Sequence, residues 1–222
     1  MQMEGRPGTG IAPDVGLQPL RVGIMGGTFN PIHISHLEMA EEAYRRLALS
    51  TVLFIPVGDP PHKTEEEAPG VAKEHRRNMV ALAIADTPYF SLNEMELERE
   101  GYTYAVDTLV ELGEMYPPGT MFFYILGADA FLYLRHWKTP QRVFPLCTFV
   151  VFRRFDEDMA QVQKEADYFT KTYGANIILM DFEPTPVSST FLRESLINKQ
   201  TLCGLLPPKV EEYIRRWHLY GS

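Results

Sequence analysis

Cysteine is scarce in this chain of 222 residues: only Cys147 and Cys203 occur, each among apolar neighbours. Two thiols exclude a disulfide-stapled scaffold. They read as small core hydrophobes of a protein kept in a reducing compartment, the cytoplasm. Long apolar runs are also missing. None approaches the roughly 20 residues of a membrane span, and the Gly- and Pro-rich start, residues 1–20, has no apolar stretch of the kind a signal peptide carries. That start reads as a flexible extension. There is no surplus of positive charge either: the formal net charge is −8 and the pI about 5.3. An acidic chain is poorly suited to holding a polyanion over a broad face, so neither nucleic acid nor membrane is expected as a partner. A small anion needs only a local cluster of donors and stays open as a ligand. Internal repeats, heptads and low-complexity tracts are absent. So are the Walker pattern and the G-x-G-x-x-G fingerprint, which excludes the two commonest glycine-rich phosphate loops. A homo-oligomer is compatible with the sequence, which sets no stoichiometry.

What is present suits one globular domain over residues 21–222. The chain is 45% hydrophobic and 23% charged, ordinary values for such a domain. Apolar, β-branched runs predict strands at Leu20–Met25, Thr51–Val57, Tyr89–Leu92, Met121–Leu126, Thr148–Phe152 and Asn176–Met180. Helical patterns fill the gaps at Ser35–Leu49, Lys73–Ala85, Tyr104–Tyr116, Pro140–Leu146, Glu157–Lys171 and Thr190–Asn198. A last helix, Lys209–Trp217, follows Pro207-Pro208. Strand and helix in alternation imply βαβ units, an α/β fold and a parallel sheet. Ligands of such sheets sit beyond the carboxyl ends of the strands. Residues 65–70 read as an acidic, solvated loop.

The first strand runs into Gly26-Gly27-Thr28-Phe29-Asn30-Pro31-Ile32-His33-Ile34-Ser35-His36-Leu37. Glycines there let the backbone turn and approach a ligand. Ser35 with Glu38 forms a capping-box pattern, and Leu37, Ala40, Tyr44 and Leu47 supply an apolar stripe. His36 therefore falls in the first helical turn, where free N–H groups favour an anion. His33, three residues earlier, is placed to point its imidazole to the same spot. Two histidines so spaced are also a partial zinc set, but no third ligand type lies nearby. A second cluster, Pro186-Val187-Ser188-Ser189-Thr190-Phe191-Leu192-Arg193, carries hydroxyls at a helix start, with Arg193 one turn in and able to fork onto phosphate. Read alone, it is more readily a plain capped helix with a solvated Arg193; the partner run at 26–37 reverses that.

The run Gly26–Leu37 resembles the signature of the H-x-G-H nucleotidyltransferase superfamily, with Ser35 where that motif has glycine. The second cluster resembles its I-S-S-T-x-x-R motif, with Val187 for isoleucine. The resemblance implies a Rossmann-like, doubly wound sheet with a small C-terminal helical part at about 186–222. It also implies α–β phosphate cleavage of a nucleoside triphosphate, with Mg²⁺ held mainly by the ATP phosphates. On that reading His36, His33 and Arg193 are catalytic. Gly26, Gly27, Thr28, Phe29, Gly127, Asp129, Ser188, Ser189 and Thr190 bind ATP, with Asp129 accepting from ribose hydroxyls. A serine side chain at 35 narrows the room for phosphate.

Three further runs, Pro56–Lys63, Tyr104–Leu109 and Gly127–Trp137, make residues 21–217 look like bacterial nicotinate-nucleotide adenylyltransferases. That likeness implies ATP and nicotinate mononucleotide as substrates and assigns Asn30, Lys63, Tyr104, Ala105, Trp137, Lys138 and Arg153 to the mononucleotide. Trp137 offers a flat face to a cationic pyridinium ring, a core tryptophan being the alternative. Arg153 and Arg154, ending the fifth strand, add phosphate charge. Ala105 stands where these proteins have threonine, which leaves recognition of the pyridine substituent to backbone N–H groups at Ala105 and Lys138. The competing readings are a transferase of the same superfamily with a phosphopantetheine or cytidylyl acceptor, and a non-catalytic nucleotide sensor. The histidines and Arg193, all retained, count against the sensor.

Overall fold

The computed structural model describes residues 19–59, 71–153, 158–202 and 204–221. The expectations for the extension, Lys63, the acidic loop, Arg154 and Cys203 fall wholly or mainly outside them. Six strands form one parallel sheet: β1 (Arg21–Gly27), β2 (Thr51–Pro56), β3 (Phe90–Leu92), β4 (Met121–Gly127), β5 (Thr148–Phe152) and β6 (Asn176–Met180). Their spatial order is β3-β2-β1-β4-β5-β6. The chain starts in the middle, winds outward to β3, and returns to β4 on the other side of β1. That reversal leaves a crevice beyond the carboxyl ends of β1 and β4, where doubly wound sheets bind ligands.

The helices are α1 (Ile34–Arg46), α2 (Lys73–Ile84), α3 (Met95–Glu98), α4 (Ala105–Met115), α5 (Ala128–Leu132), α6 (Pro140–Val143), α7 (Met159–Tyr173), α8 (Ser189–Ile197) and α9 (Pro208–Arg216). The short α3 and α5 were not expected from the sequence. At four and five residues they are too brief to show a 3.6-residue period. Strand residues alternate strictly between two cores. Met25, Phe54, Ile125 and Val150 face one cluster together with residues of α1, α2, α8 and α9. Ile24, Ile55, Leu126 and Val151 face the other with residues of α4, α5, α6 and α7. Burial of each such side chain stabilises the fold by about 1.5–3 kcal/mol. The C-terminal helices share the first core through Leu192, Leu196, Val210 and Ile214. Cys147 is buried, and burial pushes its thiol well above the usual range. Among the described residues no helix is long and apolar enough to cross a membrane.

Candidate active site

The signature loop leaves β1 at the crevice. Gly26 and Gly27 are the last residues of the strand rather than part of the loop, paired with Ile55 and Pro56. A side chain at Gly26 would collide with the Tyr124 hydroxyl, so glycine is needed there for close packing. Phe29 follows in the left-handed region, at φ 49. That conformation costs a non-glycine residue about 1–2 kcal/mol. It is held in place because the ring is buried, packed against Phe54 at 6.1 Å and edge-on to His36 at 5.1 Å. Phe29 thus props the loop from below, its ring turned into the core.

The capping expectation needs correction. His33, not Ser35, is the N-cap of α1. Ser35 is only 1% exposed, so its side chain turns into the protein and not into the crevice. Glu38 does not close a box with it. The Glu38 carboxylate accepts from the backbone N–H and the hydroxyl of Thr185, at 2.6 and 2.8 Å, and ties α1 to the loop before the second motif. At the helix start the His33 N–H donates to His36 Nδ1 at 3.3 Å, and the His36 N–H donates to the His33 carbonyl at 3.1 Å. An imidazole whose Nδ1 accepts carries its proton on Nε2, which is then a donor. The two histidine rings lie 3.8 Å apart, with His33 buried and His36 half-buried. His36 is the more exposed of the two, stacked on the buried His33.

The second motif docks onto the first across more than 150 residues of sequence. Ser188 caps α8, accepting from the Phe191 N–H, as the sequence suggested. The Ser189 hydroxyl donates to the Pro31 carbonyl at 2.9 Å. Arg193 donates to the Asn30 carbonyl at 2.9 Å and to the Thr190 hydroxyl at 3.2 Å. Two of its five N–H groups are engaged in these bonds, which aim the guanidinium at the loop. Asn30 is itself buried, and its Oδ1 accepts from the Tyr220 hydroxyl at 2.6 Å. Burial pushes the Tyr220 phenol up, out of reach of ionisation at neutral pH. Tyr220→Phe would leave that buried amide oxygen without its donor, an expected loss of about 1–3 kcal/mol of stability. Urea unfolding reads it directly, and an unchanged midpoint would remove Tyr220 from this role.

On the other side of the crevice, Trp137 is half-buried, edge-on to Tyr124 at 5.6 Å and to Phe149 at 6.4 Å. Tyr104 is the N-cap of α4, which puts Ala105 at the helix start. The Lys138 ammonium sits 3.8 Å from the centre of the Tyr104 ring, a cation–π contact that brings positive charge to the same helix end. Gly127 ends β4 and caps α5, Asp129 lies exposed in the first turn of that helix, and Arg153 is exposed just past β5. All three are therefore beyond strand ends. Beneath this side, Glu96 is buried and accepts from the Thr108 hydroxyl at 2.7 Å. Burial raises its pKa, partly offset by that bond.

Sequence reasoning missed Arg76, Tyr124, Glu96 and Tyr220. Tyr124 sits in an apolar strand run, and Arg76 in the charged run His75-Arg76-Arg77. Neither carries a local signal of its position.

The description cytidylyltransferase-like belongs to the family whose pattern matches residues 24–195, a span that contains both motifs. A probable nicotinate-nucleotide adenylyltransferase of Thermoanaerobacter sp. (strain X514) is 38% identical over 201 residues, 90% of this chain and 94% of that protein. Its counterpart in Lachnoclostridium phytofermentans is 40% identical over 200 residues, 90% of this chain and 98% of the relative. The structure of Plasmodium falciparum nicotinic acid mononucleotide adenylyltransferase complexed with NaAD matches with a TM-score of 0.74 at 18% identity, covering 91% of this chain and 98% of the other. At that identity the likeness speaks to the fold.

Proposed function

The chain belongs to the nicotinate-nucleotide adenylyltransferases of the cytidylyltransferase-like family, and from that premise we propose that it transfers the adenylyl group of ATP to nicotinate mononucleotide. The products are deamido-NAD and pyrophosphate, a step of NAD biosynthesis. One observation carries the residue assignment: Ser189 and Arg193 of the second motif donate to the carbonyls of Pro31 and Asn30 in the first. Those bonds gather His36, Arg193 and the amino end of α8 around one point beyond β1.

The mononucleotide phosphate oxygen attacks the α-phosphorus of ATP, that P–O bond forms, and the bond to the β-phosphate oxygen breaks. No side-chain nucleophile takes part. The protein holds two anions in line and stabilises the charge that moves to the leaving pyrophosphate. His36 Nε2 supplies a donor to the phosphates, His33 holds the His36 ring, and Arg193 adds a fixed cation. Thr28, Ser188 and Thr190 border the triphosphate with the Gly26–Gly27 backbone, and Asp129 accepts from its ribose. The side chains assigned to the triphosphate, His36, Arg193, Thr28, Ser188 and Thr190, are hydroxyls, an imidazole and a cation, a set that fits phosphate oxygens better than a bare metal ion. Mg²⁺ is accordingly assigned to the ATP phosphates, where it neutralises charge when bound. The cytoplasm, which supplies ATP, is the compartment this reading implies.

Selectivity follows from the α4 end. Backbone N–H groups at Ala105 and Lys138, with the Lys138 ammonium over Tyr104, offer donors and positive charge to the pyridine substituent. A carboxylate accepts all of them, whereas a carboxamide turns an NH₂ toward donors. The expected preference for nicotinate over nicotinamide mononucleotide is roughly 5- to 150-fold, the equivalent of about 1–3 kcal/mol for an unpaired buried group. The test is pyrophosphate release with ATP, Mg²⁺ and each mononucleotide, compared as kcat/KM. No turnover with either would overturn the function, and a ratio near one would overturn the pocket assignment.

A further inference from the structure

Arg76 belongs to no motif, yet it is the one arginine or lysine buried among the described residues. It stands on α2 and is only 5% exposed. Its guanidinium donates to three main-chain carbonyls: Thr28 at 2.8 Å, Val57 at 2.7 Å and Gly58 at 3.0 Å. Thr28 belongs to the signature loop; Val57 and Gly58 begin the segment after β2. Burial lowers its pKa, with Tyr220, Asp59 and Glu74 acting against that. An arginine nonetheless stays charged at any working pH.

The clamped segments lead to both substrates. Beside the Thr28 carbonyl stands Phe29, whose left-handed backbone persists only where its surroundings over-determine it. On the other branch, a side chain at Gly58 would collide with the Glu96 carbonyl, so that segment is packed tight against α3. The Asp59 carbonyl accepts from the Thr103 N–H at 3.2 Å, one residue before the cap of α4. Arg76 thus joins the loop that leads to His36 to the loop that opens onto Ala105. The three bonds use the planar fork of a guanidinium, which an ammonium cannot reproduce.

We propose that Arg76 is a positioning residue for adenylyl transfer, setting the spacing of the ATP loop against the mononucleotide loop and so acting on turnover. This rests on the function proposed above and deepens it. Misplacement of reacting groups by about 1 Å costs up to ~100-fold in rate, and a loosened clamp is expected to cost about 30-fold in kcat. KM for either substrate should move by less than about threefold, since each loop keeps its own donors.

The experiment compares wild type, Arg76→Lys and Arg76→Ala at saturating ATP and Mg²⁺, with the folded fraction of each measured by circular dichroism. Low concentrations of guanidinium, with urea as the neutral control of similar shape, test rescue of Arg76→Ala. A lower kcat at near-constant KM in the folded variants, restored by guanidinium and not by urea, is the expected result. If Arg76→Ala does not fold, Arg76→Lys alone decides on the same kcat-against-KM split. A kcat within twofold of wild type, or a loss that merely tracks the unfolded fraction, overturns the proposal. Wild-type turnover is measured in the same series, so a failure of the proposed function appears there first and is not confused with a failure of the clamp.

Discussion

His36→Ala is expected to lower turnover by about 100-fold or more, the usual effect of removing a preorganised donor to a developing anion. The donor is preorganised because the ring has little freedom. Its Nδ1 accepts from the His33 N–H, one face lies 3.8 Å from the His33 ring, and the Phe29 ring meets it edge-on. Nε2 is then the proton-bearing atom, in the first turn of α1 where unsatisfied N–H groups already favour negative charge. ATP makes other contacts in the ground state, so the loss should fall on kcat more than on KM. His36→Gln, whose amide nitrogen reaches about where Nε2 lies, should recover part of the activity. Steady-state pyrophosphate release measures both variants. Should His36→Ala retain half the wild-type turnover, the residue has no part in the chemistry.

Arg193→Ala should cost about 100-fold and Arg193→Lys about 30-fold, because this residue has two tasks that only a guanidinium combines. It holds the signature loop through the Asn30 carbonyl and Thr190, and it keeps further N–H groups for phosphate. An ammonium satisfies one of these at a time. The lysine variant should therefore lose ATP affinity and turnover together, in contrast to His36→Ala. Unchanged values of both in Arg193→Lys would reduce Arg193 to a strut between α8 and the loop.

Much of this site was legible because its signals are short-range. A helix cap, an apolar stripe and a strand alternation each act within a few residues, and the recognised runs at 26–37 and 186–193 lie on the predicted strand end and helix starts. Ser188 caps α8 as its type predicts. The same rule failed at Ser35, because tertiary contacts outbid it. The backbone placed His33 at the cap, packing drew Ser35 inside, and Thr185, 147 residues from Glu38, took the carboxylate meant to close the box. The short α3 and α5 gave no period to detect.

From the residues alone follow the α/β alternation, the helix starts and the identity of the charged groups at them. Tertiary structure decided the strand order, with its crevice between β1 and β4, and which of the two histidines is buried. It also placed Tyr124 above Gly26, Tyr220 on Asn30, and Arg76 beneath two loops 48 and 18 residues away from it in sequence. The reason is physical. A cap or a stripe is set by dihedral angles and neighbours one turn away, whereas a guanidinium finds its carbonyls only after the sheet has brought distant strand ends together. Where local and distant partners compete for one group, burial raises the cost of leaving any partner unsatisfied, and the fully packed arrangement settles the choice.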